Sequence, residues 1–137
     1  DPSNANLKFK RNKVREDVMP VLDKLYTGSS SRISALAEKL VSYEDDQSKL
    51  LKIVLETLII NKSLSRQKII KMPTSIRRNL IAKWMKENKV PGLNSKLLNE
   101  INYKIGKGKP SSSIDLKAGW KIIWNKDSIQ ILKSNNK

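Results

Sequence analysis

The chain has 137 residues, 38% apolar and 30% charged, a water-soluble balance with room for one domain or two small ones. It contains no cysteine and no histidine, so disulfide and thiolate chemistry, the commonest general base and the commonest transition-metal ligand are all missing, which argues against a complete hydrolase or metalloenzyme. The formal charge of +15 is uneven: residues 1–61 hold 10 Lys/Arg and 9 Asp/Glu, whereas residues 62–137 hold 18 and 4.

A half-molecule with that excess repels itself unless its partner is a polyanion. Nucleic acid leads, ahead of acidic lipid headgroups. The bland alternative is the Lys- and Asn-rich composition of a low-GC genome, and the asymmetry between halves speaks against it. The longest apolar stretch, IVLETLII at 53–60, is broken by Glu56 and Thr57 and is too short to span a bilayer. The opening DPSNANLKFK lacks the apolar core of a signal peptide.

In chain order, residues 1–11 read as extended, and a first helix runs from Asn12 to about Leu25, kinked or split by Pro20. TGSSSR at 27–32 is a break. Ser31 then caps a long helix whose apolar positions run from Ile33, Leu36, Leu40 and Val41 to Leu51, Val54, Leu55 and Leu58. The acidic SYEDDQSK has no Gly or Pro and reads as a solvated section of that helix, which ends at Asn61–Ser65.

LSRQKIIKMP is a short segment closed by Pro73, after which Thr74 or Ser75 caps a third helix. On its wheel Ile76, Leu80, Ile81, Trp84 and Met85 span an arc of about 180°. Arg78, Lys83, Lys86 and Lys89 fall outside the arc and Arg77 inside it. VPGLNS is a turn, with Asn94 or Ser95 capping a further helix, and GKGKPSSS at 106–113 reads as a flexible basic linker. The tail alternates: Ile114 with Leu116, Trp120 with Ile122 and Trp124, Ile129 with Ile131, separated by turns at KAG and NKDS. The fold expected is mostly α, a helical domain with a small C-terminal antiparallel β-meander of two or three strands packed by its Trp face.

No catalytic constellation stands out. TGSSSR and GKGK lack the glycine pattern of a phosphate-cradling loop. Glu44, Asp45 and Asp46 are neighbours on a helix and point apart, so a solvated acidic face is the reading there rather than a metal site. The basic inventory is richer: Arg78, Lys83, Lys86 and Lys89, then Lys104, Lys107 and Lys109, then Lys117, Lys121 and Lys126. Arginine suits bidentate phosphate contact and lysine point attraction. Each lysine alone reads as a solvated residue, but the collection has almost no acids beside it. Tyr103, Trp120 and Trp124 are candidate stacking residues, with core packing favoured for the two Trp because Ile122 shares their face.

The stretch NANLKFKRNKVREDVMPVL at 4–22 packs Lys8, Lys10, Arg11, Lys13 and Arg15 into eight positions. Its fixed order is Asp1-Pro2-Ser3-Asn4, Phe9, Arg11-Asn12, Arg15, Pro20 and Leu22. This resembles the segment that follows the PP-loop catalytic domain in the tRNA(Ile)-lysidine synthase family. MPTSIRRNLIAKWMKEN and SSIDLKAGWKIIWNKDSIQIL are similar to later elements of the same family. Where the family often has His after the second Arg, this chain has Glu16.

The resemblance implies an enzyme that uses ATP and Mg to adenylate the wobble cytidine of the CAU-anticodon isoleucine tRNA, which lysine then attacks. The Ser-Gly-Gly-x-Asp-Ser loop of its catalytic domain does not occur here, so this chain is expected to bind no cofactor alone and to hold tRNA for the N-terminal catalytic domain. By resemblance, residues 1–30 are the segment and helix after that domain, 31–109 a helical tRNA-binding domain, and 110–137 the meander. Arg11 and Arg15 would lie near ATP phosphates or tRNA at the catalytic domain, with Asn4 and Asn12 bracing the fold. Arg77, Arg78, Lys83, Lys86, Lys107, Lys109 and Lys121 would meet tRNA, with a structural role favoured for Arg77. The compartment implied is a bacterial cytoplasm or a plastid stroma. Two rivals remain: a free-standing, sequence-tolerant RNA- or DNA-binding module, and a docking domain whose lysines serve solubility.

Overall fold

The computed structural model describes residues 2–135, with side chains from Ala5 onward. Asp1 and the side chain of Asn4, both read as part of the opening motif, lie outside the described residues. The chain divides into two compact units, Asp1–Gln47 and Ser48–Lys137. It is mostly helical, with one antiparallel sheet formed largely by its C-terminal residues.

The first unit opens with α1 (Pro2–Lys13), not with the extended segment expected. The reason is compositional: proline is tolerated at a helix start because its missing N–H has no partner there, and Ala, Leu, Lys and Arg then propagate the helix. A π-helical turn at Val14–Val18 joins α1 to α2 (Met19–Leu25). There the N–H of Met19 bonds the carbonyl of Val14, five residues back. Pro20 cannot donate to the carbonyl of Glu16 and its ring crowds that group, so the turn widens just before it. This is the split expected at Pro20.

Gly28, at φ +84°, turns the chain into α3 (Ser29–Leu58). The helix starts three residues earlier than a cap at Ser31 implies, and Ser31 is not its cap. Instead Asp23 of α2 reaches over: its Oδ1 accepts the Ser30 N–H at 2.8 Å and its Oδ2 accepts the Ser30 hydroxyl. The helix runs unbroken through SYEDDQSK, as expected. Its apolar stripe divides, however. Ile33, Leu36, Leu40 and Val41 are exposed, and only Leu55 and Leu58 are fully buried. No described side chain of the first unit is buried.

The second unit holds the core. After α3, Ile59–Ile60 (β1) and Ser63–Ser65 (β2) form a hairpin in place of the plain helix end expected. Asn61 and Lys62 both have positive φ, 50° and 67°, which matches the twist a two-residue hairpin needs. A single turn of helix, α4 (Arg66–Ile69), precedes α5 (Thr74–Glu87) and α6 (Ser95–Lys107). Pro73 occupies the cap position of α5, with no side-chain cap from Thr74 or Ser75. Asn94 caps α6, its Oδ1 accepting the Leu97 N–H at 2.8 Å.

The tail forms β3 (Ser112–Asp115), β4 (Trp120–Trp124) and β5 (Ser128–Lys133), as the alternation predicts. β2 pairs with β5, so the hairpin extends the meander to the order β1-β2-β5-β4-β3. In that register Leu64, Ile129 and Trp124 lie abreast, as do Ile131, Ile122 and Ile114. This face covers Leu55 and Leu58 of α3, Leu80, Ile81, Trp84 and Met85 of α5, and Ile101 and Ile105 of α6 in one hydrophobic cluster. Ile76, read as part of the α5 core arc, is exposed in the first turn instead.

The stretch 106–113 is not a free linker. Gly106 and Lys107 belong to α6, and Ser112 and Ser113 to β3. Between them the carbonyl of Lys109 accepts the Trp124 indole N–H at 3.2 Å and that of Pro110 accepts from Arg66 at 2.7 Å.

Candidate nucleic-acid interface

The second unit carries 20 Lys and Arg against 5 Asp and Glu, so its net charge equals that of the whole chain, while the first unit is neutral with 8 of each. Four of these five acids are engaged. Glu87 lies 3.8 Å from Lys83, Glu100 2.8 Å from Lys104, and Asp115 3.4 Å from Lys121, while Asp127 accepts from the Gln67 amide at 2.5 Å. The Lys104 partner holds the Glu100 carboxyl below its ordinary pKa, chiefly through their hydrogen bond.

The arginines are held differently. Arg77 is 7% exposed, within the apolar face where its position placed it. Its Nε donates to Asn102 Oδ1 at 2.6 Å, and Asn102 Nδ2 donates on to the Thr74 carbonyl at 3.1 Å. Burial pushes the guanidinium below the ordinary arginine pKa, yet an arginine stays charged near neutral pH. Arg78, next in sequence, donates from Nε to Asn99 Oδ1 at 2.6 Å and from Nη2 to Ser95 Oγ at 3.0 Å. Both are oriented by neutral oxygens, which fixes the fork without cancelling its charge.

Arg66, which the sequence reading passed over, is also 7% exposed. It donates to three backbone carbonyls: Ile105 at 2.9 Å, Pro110 at 2.7 Å and Asn125 at 3.0 Å. One of these belongs to the last turns of α6, where a cation also meets the negative end of the helix dipole. Nothing in RQK at 66–68 signals this, because the partners lie 39 to 59 residues away.

Of the residues read as RNA-facing, three converge. Arg77 and Arg78 of α5 and Lys107 of α6 line a groove of about 590 Å³, together with Thr74, Asn99 and Tyr103. Lys83 and Lys86 lie farther along α5, and Lys83 also donates to Ser48 Oγ at 3.1 Å. Lys109 follows α6, and Lys121 sits on β4 beside Asp115. In the first unit Arg11 and Arg15 line a concavity of about 740 Å³ with Lys10, Val14, Met19 and Asp23. Trp124 is buried and Trp120 half-buried beneath Lys133, whose Nζ lies 5.7 Å from the ring centre. Core packing thus holds for Trp124, and the half-buried Trp120 packs against the same core.

Among the described residues no group of His, Cys, Asp or Glu could hold a metal, and no helix is long and apolar enough to cross a membrane. GKGK closes α6 and leads into a strand, so no helix N-terminus follows it to receive a phosphate.

No protein-family model matches the chain. It is 42% identical over 132 residues to a tRNA(Ile)-lysidine synthase of Prochlorococcus marinus, covering 96% of this chain and 39% of that protein. A tRNA(Ile)-lysidine synthase of Parasynechococcus marenigrum is 33% identical over 131 residues, with the same two coverages. One from Francisella philomiragia is 28% identical over 143 residues, covering 99% and 34%. The chain spans about two fifths of the length of the Prochlorococcus and Parasynechococcus relatives and matches their C-terminal part. The chain therefore belongs to the tRNA(Ile)-lysidine synthase family, as its C-terminal portion.

Proposed function

We propose that the second unit, Ser48–Lys137, grips tRNA through its phosphates while a catalytic region outside this chain performs ATP-dependent lysidine formation on the CAU-anticodon isoleucine tRNA. The observation that carries this reading is the placement of charge. The whole excess of +15 falls on the unit that has its own hydrophobic core, and its arginines are clamped by amides rather than carboxylates. A rigid basic surface of that kind suits sequence-tolerant contact with a folded RNA backbone.

The chain itself offers no nucleotide loop, so ATP and Mg are assigned to the catalytic region and no step is placed on residues here. In this reading the neutral first unit docks on that region through its exposed apolar side chains, and Arg11 and Arg15 supply phosphate contacts there. The enzyme would work where its tRNA is, in a bacterial cytoplasm.

The test is a titration of this chain with the CAU-anticodon isoleucine tRNA and with an unrelated tRNA across a range of salt. Binding with log K falling by about 0.7–0.9 per phosphate contact for each decade of salt is expected. Equal affinity for both tRNAs would place discrimination in the catalytic region, and a preference would place part of it here. Absence of binding at low salt would overturn the reading in favour of a docking domain.

A further inference from the structure

The groove between α5 and α6 has the size of a nucleotide site, about 590 Å³, and a wall chemistry that a phosphate surface alone does not require. The second unit contains four aromatic residues. Trp84 and Trp124 are in the core, and Trp120 already carries Lys133 over its ring. Tyr103 is 65% exposed and lines the groove. It lies one helical turn before Lys107 and one after Asn99, so the three side chains share a face of α6. Across the groove stands Arg78, held by Asn99 and Ser95 with no carboxylate partner among the described residues.

We propose that this groove binds one unpaired nucleotide of RNA, its base stacked on Tyr103 and its phosphate held by Arg78 and Lys107. The inference rests on the RNA-gripping role of the second unit and adds a site to it. A stacked duplex keeps its base faces covered, so it offers a concave groove with one phenol ring nothing to stack on. An unpaired base offers its π-face whatever its identity. The pairing of an aromatic face with guanidinium and ammonium groups in one groove is the chemistry by which single-stranded RNA is held. Asn99, whose Oδ1 is occupied by Arg78, keeps its amide N–H2 group for a base oxygen.

The experiment compares two probes on this chain: a short single-stranded oligoribonucleotide carrying 2-aminopurine, and a blunt RNA duplex. With Tyr103→Ala, single-strand affinity should fall roughly tenfold and the 2-aminopurine quenching on binding should be lost. Duplex affinity should not change, and Tyr103→Phe should behave as wild type on both probes. Lys107→Gln should lower the salt slope for the single strand by about one contact. Tyr103 is exposed, and a melt monitored by tryptophan fluorescence verifies that the variants fold. If Tyr103→Ala leaves single-strand binding intact, or weakens both probes equally, the nucleotide site is wrong while the RNA-gripping role stands. If wild type binds neither probe at low salt, both fail together.

Discussion

The guanidinium of Arg77 lies against the Cα of Gly106, in the last turn of α6. A methyl group placed there would sit 2.4 Å from Nη2 and 2.7 Å from Cζ. This glycine is selected by space rather than by backbone conformation. The arginine cannot retreat, because Asn102 holds it and the core surrounds it. Gly106→Ala should therefore destabilise the second unit by about 1–3 kcal/mol, although alanine is the better helix former by about 1 kcal/mol. All three tryptophans lie in this unit, so urea unfolding followed by their fluorescence reads it. A neutral or stabilising outcome would contradict the packing. Combining it with Arg77→Met should recover part of the loss.

The three carbonyls gathered by Arg66 come from α6, from the turn into β3 and from the turn between β4 and β5. Arg66→Met keeps the aliphatic bulk and leaves those carbonyls without donors. A loss of roughly 2–4 kcal/mol is expected, seen as a lower urea midpoint. Arg66→Lys should restore only a fraction, because an ammonium lacks the planar fork. Wild-type stability for Arg66→Met would mean that the three bonds add nothing net.

Much of this architecture is legible from local pattern. The helical stripe of α5, the Asn94 cap and the alternation of the tail each act within a few residues, so spacing alone reveals them. The interior position of Arg77 is visible on the helical wheel for the same reason. What escapes reading depends on distant partners. The β1–β2 hairpin exists because β5 is there to pair with Leu64 and Ser65. Arg66 is buried because carbonyls from later in the chain converge on it. The start of α3 is set by Asp23 rather than by its own serines. Stretch 106–113 reads as a linker by composition and is pinned by Trp124 and Arg66. The groove residues Arg77, Arg78 and Lys107 are each visible as basic positions, but their convergence with Tyr103 requires the packing of α5 on α6.

Asp23 gives the first unit a pH response. Its carboxylate is held below the ordinary value of 3.8, first by the Ser30 hydroxyl and then by the Ser30 N–H. A depressed folded-state pKa contributes stability above the unfolded value and loses it as pH falls through the folded one. The Ser30 amide resonance should therefore titrate with a midpoint below 3.8. Asp23→Asn should remove that titration. A midpoint at or above 3.8 would show that the carboxylate does not hold the start of α3.

Lys121 and Arg78 are both basic and both RNA-facing in the proposed role, yet they should differ. Lys121 shares its charge with Asp115 at 3.4 Å, whereas Arg78 donates to the neutral oxygens of Asn99 and Ser95. Arg78→Gln should lower the slope of log K against log salt for tRNA by about one contact. Lys121→Gln should lower it by less. Equal effects would indicate that the Asp115 pair opens on binding.

The amide clamps have one more consequence. Carboxylates and imidazoles change state within the range that cells experience, and thiols respond to oxidation, but asparagine side chains do neither. This chain has no histidine and no cysteine, and its buried arginines are steered by amide and peptide oxygens. The orientation of these two guanidinium groups thus rests on no partner that titrates or oxidises in that range.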